Sequence, residues 1–450
     1  MPNIFTIFNH GTAFHRDSDP KELVTMVSRA VNGYEARIVQ KQKTQTNPLG
    51  YGVDETHGTT PNFLICEGPG SGTVTATKSS WHVAHSQPGQ LNPIFEAKKN
   101  QGASHSLDPT LKPKGIKKKD WYWNEYETTS DFQDSFMGNT KDNPGMTGGL
   151  LSGEGWDDNV YKAVFMLSHL IMERQQQIDV VNMVGWSRGA VTCLKMAYKL
   201  YQVFPQLEVN ICAVDPVPGG TSITKKENFM DIVDQEKREI EKEKIQGIYK
   251  VLPNVRNYLI FLAMHDYRNM FRPTDRDVLE VVPPTLGQGV PKPPTNIVFL
   301  PFPGDHSALV QPQSEPMKSY DICLFLASRF LKKFGTPFKT TEYNNILLKR
   351  EACLKYYRQM ACHLDQVYER CRAAAKSWCS GTGLSTTTAG PRDVWKDRLG
   401  YAPLGYLNLH HYQCEKELNP ATAGPANVHW KGNDHDTMMW TAWNIMDILK

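Results

Sequence analysis

Short apolar runs recur along the chain at Ile4 to Phe8, Asn62 to Cys66, Ile178 to Val184, Val209 to Val214 and Ile297 to Phe302. Runs of this length, with little alternation, are the pattern of strands buried on both faces. Between several of them the period lengthens. Asn159 to Arg174 places Val160, Ala163, Val164, Leu167 and Leu170 on one stripe, and Ala190 to Tyr201 does the same after a glycine turn, as amphipathic helices do. Strand and helix in alternation predict an α/β protein with a doubly wound, mostly parallel sheet.

Two regions interrupt this pattern. Residues 73–144 are polar, with many Lys, Ser, Asn and Gly, and read as a long insertion with little secondary structure of its own. Thr224 to Gly247 is dominated by charge (DQEKREIEKEKIQG) and reads as an exposed helix with opposite charges one turn apart, within a lid-like insertion over 220–290. After Phe334 the character changes, with a helical run from Tyr343 to Trp378, then CSGTGLSTTTAGP and a tail rich in Trp and His. The expected division is a catalytic domain over 1–340 and a helical C-terminal accessory region over 341–450.

Composition narrows the function classes. Hydrophobic residues at 40% and charged residues at 22% fit an ordinary soluble globular chain of 450 residues, not a disordered one. Lys+Arg 50 against Asp+Glu 47 gives +3, too little to imply a nucleic-acid partner. The one basic cluster (Lys112, Lys114, Lys117, Lys118, Lys119) leads into Trp121, Tyr122 and Trp123, which suits peripheral contact with an anionic membrane surface; a solvated loop is the plainer reading. The nine cysteines form no CxxC pairs, so reduced thiols are expected. Neither a classical signal peptide nor a membrane span is visible, which predicts cytoplasmic folding and is compatible with export by a specialised secretion system.

The strongest local signal is IDVVNMVGWSRGAVTCLKMAYKL: an apolar strand, then Gly185-Trp186-Ser187-Arg188-Gly189, then an amphipathic helix. A serine held out on a tight strand-to-helix turn needs small residues two positions either side. It also gains the helix's positive end, and the Arg188 amide can donate to a developing oxyanion. A serine needs a base and an orienting carboxylate. Asp215 ends the next apolar run, and His306 follows the run IVFLPFPGDH. Asp266 is an alternative carboxylate, and Asp305 is poorly placed to orient its own neighbour. His435 is an alternative base in the tail, where His429, Asp434, His435 and Asp436 lack the ordered spacing of a metal site. A second oxyanion amide is expected from the turn after the first strand, at Gly11 and Thr12.

Taken in order, these motifs resemble the α/β-hydrolase domain family that includes the phospholipase effectors of bacterial type VI secretion. Phe8-Asn9-His10-Gly11-Thr12 is similar to its FDGT-like turn and LICEGPGSG to its YYDGVGTG-like segment; MTGGLLSGEGWDDNVYKAVFML matches its glycine-rich approach to a helix. GWSRGA resembles its GFSRGA, and Asp215-Pro216-Val217, MHDYRNMF and PGDHSALV resemble its DTV-, ALDERRxxF- and PGxHSDVGG-like segments. Two departures stand out. His10 replaces the acid of the first turn, and Ala308, Leu309 and Val310 replace the residues after the loop histidine.

The resemblance implies acyl-ester hydrolysis, often of phospholipids, by Ser187, Asp215 and His306, with no cofactor. Two other readings differ in class: an esterase, thioesterase or amidase on a soluble substrate, and a vestigial core whose C-terminal region binds a secretion-system or host partner.

Overall fold

The computed structural model of the chain describes residues 2–40, 51–53, 60–68, 156–218, 247–263, 266, 273–274, 279–282, 296–302, 304–315, 317–346 and eight positions between 352 and 380. In chain order the strands are β1 (Ile4–Asn9), β2 (Ile38–Gln40), β3 (Tyr51–Val53), β4 (Phe63–Cys66), β5 (Val180–Trp186), β6 (Glu208–Val214), β7 (Lys250–Val251), β8 (Val255–Ala263), β9 (Glu280–Val281) and β10 (Asn296–Phe302). Six of them form one sheet in the order β10–β8–β6–β5–β1–β4. Every neighbouring pair in it is parallel. The fold is therefore α/β with a parallel central sheet, as the alternation predicted. β2 with β3 and β7 with β9 form two small separate pairs.

Parallel strands are joined by helical crossovers that cover both faces, which is why the strands read as unbroken apolar runs. The helices are α1 (Leu23–Ala30), α2 (Trp156–Ser168), α3 (Arg188–Val203), α4 (Ser319–Lys333) and α5 (Thr340–Ile346), and α2 runs on into one π-helical turn, His169–Glu173. Phe5, Ile7, Val181, Met183, Ile211 and Ile260 pack against α2 and α3 on one face. Phe8, Val184, Cys212, Leu259 and Phe302 pack against α1 and α4 on the other.

One row crosses the second face with polar side chains. Thr6, Asn182, Asn210, Asn257 and Asn296 are successive register partners near the N-terminal ends of β1, β5, β6, β8 and β10. Equal register in parallel strands brings like side chains side by side. The Asn210 amide donates to Asn182 Oδ1 (2.9 Å), that of Asn257 to Asn210 Oδ1 (2.7 Å) and that of Asn296 to Asn257 Oδ1 (3.5 Å). Asn182 Nδ2 donates to the Phe334 carbonyl and to Thr336 Oγ1 (both 2.9 Å), and Thr336 meets Thr6 at 3.0 Å.

One expectation is corrected here. The stretch read as a lid-like insertion, 220–290, contains β8, which lies between β6 and β10 inside the sheet. In its sequence VRNYLIFLA the polar Arg256 and Asn257 interrupt the start of an otherwise buried run. Residues 73–144 and 219–246 lie outside the described residues, as does most of the tail. The expected boundary near 340 falls at the start of α5, where Tyr343 is buried and Ile346 joins the same core as α1 and α4. Beyond it the described positions Ala352, Lys355, Tyr356, Gln366, Arg370, Ala373, Ser377 and Ser380 are helical. Among the described residues no helix is long and apolar enough to cross a membrane.

Candidate active site

A parallel sheet brings the C-terminal ends of its strands to one edge, so residues distant in sequence meet there. Ser187 follows β5 directly and begins the turn into α3. It is the N-cap of α3 with φ 56° and ψ −126°, and its side chain does not cap the helix. A non-glycine residue with positive φ stores about 1–3 kcal/mol of strain. Burying the flanking Val184 and Trp186 contributes more, at about 1.5–3 kcal/mol for each large apolar side chain, so the bend persists. The Ser187 amide donates to the Val214 carbonyl (3.0 Å), which ties the bend to the end of β6.

The sharpness of the bend requires its two glycines. A Cβ on Gly185 would lie 2.4 Å from the Gly189 carbonyl oxygen, and one on Gly189 would lie 2.3 Å from that of Asn9. Neither position has room for a side chain. Arg188 is the first residue of α3, so its amide is among those that point out of the helix's N-terminal end. Its guanidinium is buried, donates from Nε to the Pro218 carbonyl (3.3 Å), and is pushed down to about 10 by burial.

Asp215 directly follows β6, with φ 39°, and is fully buried. Its amide donates to the Phe261 carbonyl (2.7 Å), and the Ala263 amide donates to its Oδ1 (2.9 Å), so β8 fixes the carboxylate from two sides. The other oxygen, Oδ2, lies 2.6 Å from His306 Nδ1. With Nδ1 engaged by the carboxylate, proton exchange with a hydroxyl would have to run through Nε2. Proton transfer needs the Ser187 hydroxyl about 3 Å from that nitrogen, a contact that in free enzymes commonly tightens only when substrate binds.

The two rival carboxylates have other roles. Asp266 Oδ2 accepts from the backbone amide of His306 (3.1 Å) and so holds the loop that carries this histidine. Asp305 accepts from the amides of Ser307 and Ala308 (both 2.9 Å) and caps the short 3-10 turn after His306. The alternative base His435 lies outside the described residues.

Gly11 and Thr12 sit in the turn after β1. A Cβ on Gly11 would lie 2.1 Å from Trp186 Cε3, so the glycine backbone rests on the indole face. The same indole meets Phe14 edge-on at 4.3 Å and the His306 ring at 5.1 Å between centroids. Trp186 thereby joins the Gly11 turn, the serine bend and the base loop. Sequence reasoning missed this indole, and it also missed Glu22 and Glu67, which flank His10. The acid directly after a strand end, in LICEG, was the one visible hint. Among the described residues no group of three or more His, Cys, Asp or Glu is arranged to hold a metal ion.

No family model matches the chain, and no curated protein matches it. Among solved structures it is similar to an uncharacterized protein from Pseudomonas aeruginosa, with 14% identity and a TM-score of 0.37, over 83% of this chain and 53% of that one. The chain thus spans about half the length of that structure.

Proposed function

We propose that the protein is a serine hydrolase of the α/β-hydrolase type that cleaves acyl esters. The observation that carries this reading is one conjunction at the sheet edge: a serine in a glycine-flanked, positive-φ bend whose amide is held by the Val214 carbonyl, and, on the residue after Val214, a buried carboxylate bonded at 2.6 Å to an imidazole. The sheet order agrees with it. The strand before the serine adjoins β1, where the order reverses, the position at which α/β proteins bind ligands.

In this reading Ser187 Oγ attacks the acyl carbonyl while His306 Nε2 takes its proton, and Asp215 stabilises the imidazolium that forms. Amides of the Gly11–Thr12 turn and of Arg188 donate to the oxyanion, commonly worth about 3 kcal/mol per donor. Collapse of the tetrahedral intermediate breaks the ester C–O bond, and the imidazolium proton leaves with the alcohol. Water, deprotonated by His306, then releases the acid from Ser187. A lipase or phospholipase substrate is favoured by the ordered motifs shared with that hydrolase family.

The test is fluorophosphonate labelling with site mapping, together with turnover of short p-nitrophenyl esters and of phospholipid vesicles. Label on Ser187, and loss of about 10⁵-fold or more in kcat in Ser187→Ala, are expected. Wild-type turnover in Ser187→Ala ends the reading. A rate jump when lipid aggregates form marks a lipase, and its absence marks an enzyme of soluble esters. Turnover and labelling both absent in the wild type would leave a partner-binding core.

A further inference from the structure

Six ionisable side chains lie beside the candidate site and take no part in the mechanism above: His10, His15, Arg16, Glu22, Glu35 and Glu67. Asn9 and Cys66 are the last register partners of β1 and β4, and the His10 amide donates to the Cys66 carbonyl (2.9 Å). His10 and Glu67 therefore leave the sheet side by side. Glu67 Oε2 accepts from the backbone amide of Arg16 (3.0 Å), and Oε1 accepts from Arg16 Nε. His10 Nε2 and His15 Nε2 lie 3.8 and 3.9 Å from the same carboxylate. Arg16 also reaches Glu35 Oε1 (2.8 Å).

On its other side His10 Nδ1 lies 3.0 Å from Glu22 Oε2, an ion-pair contact short of good hydrogen-bond alignment. The Glu22 carboxylate in turn accepts from the amides of Val24 (2.9 Å) and Thr25 (3.0 Å) and caps α1. Burial opposes ionisation of Glu67, but the charges of His10, Arg16 and His15 outweigh it and hold its carboxyl at about 2. Burial likewise opposes protonation of His10, yet Glu22 and Glu67 raise it above the ordinary histidine range.

What this network encloses is the loop of Gly11 and Thr12. The Phe14 amide donates to the Gly11 carbonyl (3.0 Å), Ala13 has φ 66°, and the Gly68 amide donates to the Phe14 carbonyl (2.9 Å). A Cβ on Gly68 would fall 1.6 Å from the Gly11 carbonyl oxygen, so the residue after Glu67 rests on the peptide that offers the oxyanion amides. We propose that Glu67 is the positioning residue of the oxyanion turn, fixing the loop through His10 where it leaves β1 and through His15 and Arg16 where it returns. This rests on the serine-hydrolase reading. A buried ionic cluster adds little net stability compared with apolar packing. Its value here is a single loop geometry. Because Gly11 rests on Trp186, and Trp186 on His306, a slack loop disturbs donors and base together.

The test measures kcat and KM on a short p-nitrophenyl ester, the rate of fluorophosphonate labelling and the melting temperature. It compares the full-length wild type, Glu67→Gln, Glu67→Asp, His10→Gln and Ser187→Ala. A displacement of about 1 Å at reacting groups costs on the order of 100-fold in rate. Glu67→Gln is therefore expected to lower kcat by about that factor and to slow labelling in parallel, with KM little changed. Glu67→Asp, which keeps the charge, should recover part of the loss. If Glu67→Gln does not fold, His10→Gln gives the same readout, because it leaves Arg16 paired with Glu67 and Glu35. Wild-type kcat in the folded variants, with Ser187→Ala inactive, overturns the positioning role and leaves the hydrolase standing. Turnover surviving in Ser187→Ala overturns both.

Discussion

At the N-terminal end of the sheet, Thr6, Asn182, Asn210, Asn257 and Asn296 cross five strands through neutral amides and one hydroxyl. At the C-terminal end, β1, β4, β6 and the loop after β10 lead into His10, Glu67, Asp215 and His306, all ionisable, all paired with opposite partners. Both ends bury polar groups, one through neutral hydrogen bonds and the other largely through ion pairs. The difference is that an amide ladder has no proton to lose. It holds register at any pH, while the opposite end changes state with its surroundings, as proton-transfer chemistry requires. The proposed mechanism thus places anchoring and reacting at opposite ends of the same strands.

The sharpest way to break this division is Asp215→Asn. The change is isosteric, but an amide at that position favours the wrong His306 tautomer, and a loss on the order of 10⁴-fold in kcat is expected. A near-wild-type rate with pure protein would show that the 2.6 Å contact is structural. The opposite change is Asn210→Ala at the anchoring end. It leaves Asn182 Oδ1 without this donor and Asn257 Nδ2 without this acceptor, and each unsatisfied buried group costs about 1–3 kcal/mol. Chemical denaturation should show that loss, with kcat of the remaining folded enzyme unchanged. A fall in kcat without loss of stability would mean that the two ends are coupled.

The smallest effect is a pH dependence. The folded pKa of His10 lies above its unfolded value, so its contribution is whole below about 6.5 and is lost as pH rises through the folded value. Glu67 is depressed to about 2, so its contribution is whole above about 4.5 and is lost only as pH falls toward 2. Melting temperature should therefore decline on the alkaline side, and more shallowly in His10→Gln. Equal slopes in both proteins would remove His10 from the ionic end.

Much of the fold was legible because burial on both faces leaves a sequence mark. Five of the six central strands are apolar runs, found to within about two residues at either end. β8 was missed although its YLIFLA is apolar, because Arg256 and Asn257 break the start of the run and it was read as part of a lid. Ser187, Asp215 and His306 were legible because each follows a strand end. The network around Glu67 was not. Glu22, Glu35 and Glu67 are ordinary surface residues by composition, and only the pairing of β1 with β4, more than fifty residues apart in sequence, brings Glu67 beside His10. Asp266 was singled out for the right neighbour, since it holds the backbone of His306.

The place of β1 has a consequence for how the chain is made. Although it comes first, it is an interior strand, flanked by β4 and by β5. Its second partner emerges from the ribosome only after some 170 further residues, a wait of roughly ten to thirty seconds at 5–20 residues per second. During that time Phe5, Ile7 and Phe8 have one edge unpaired and no closed core to enter. Changes within β1 thus touch the seam on which the whole sheet closes, not a dispensable fringe.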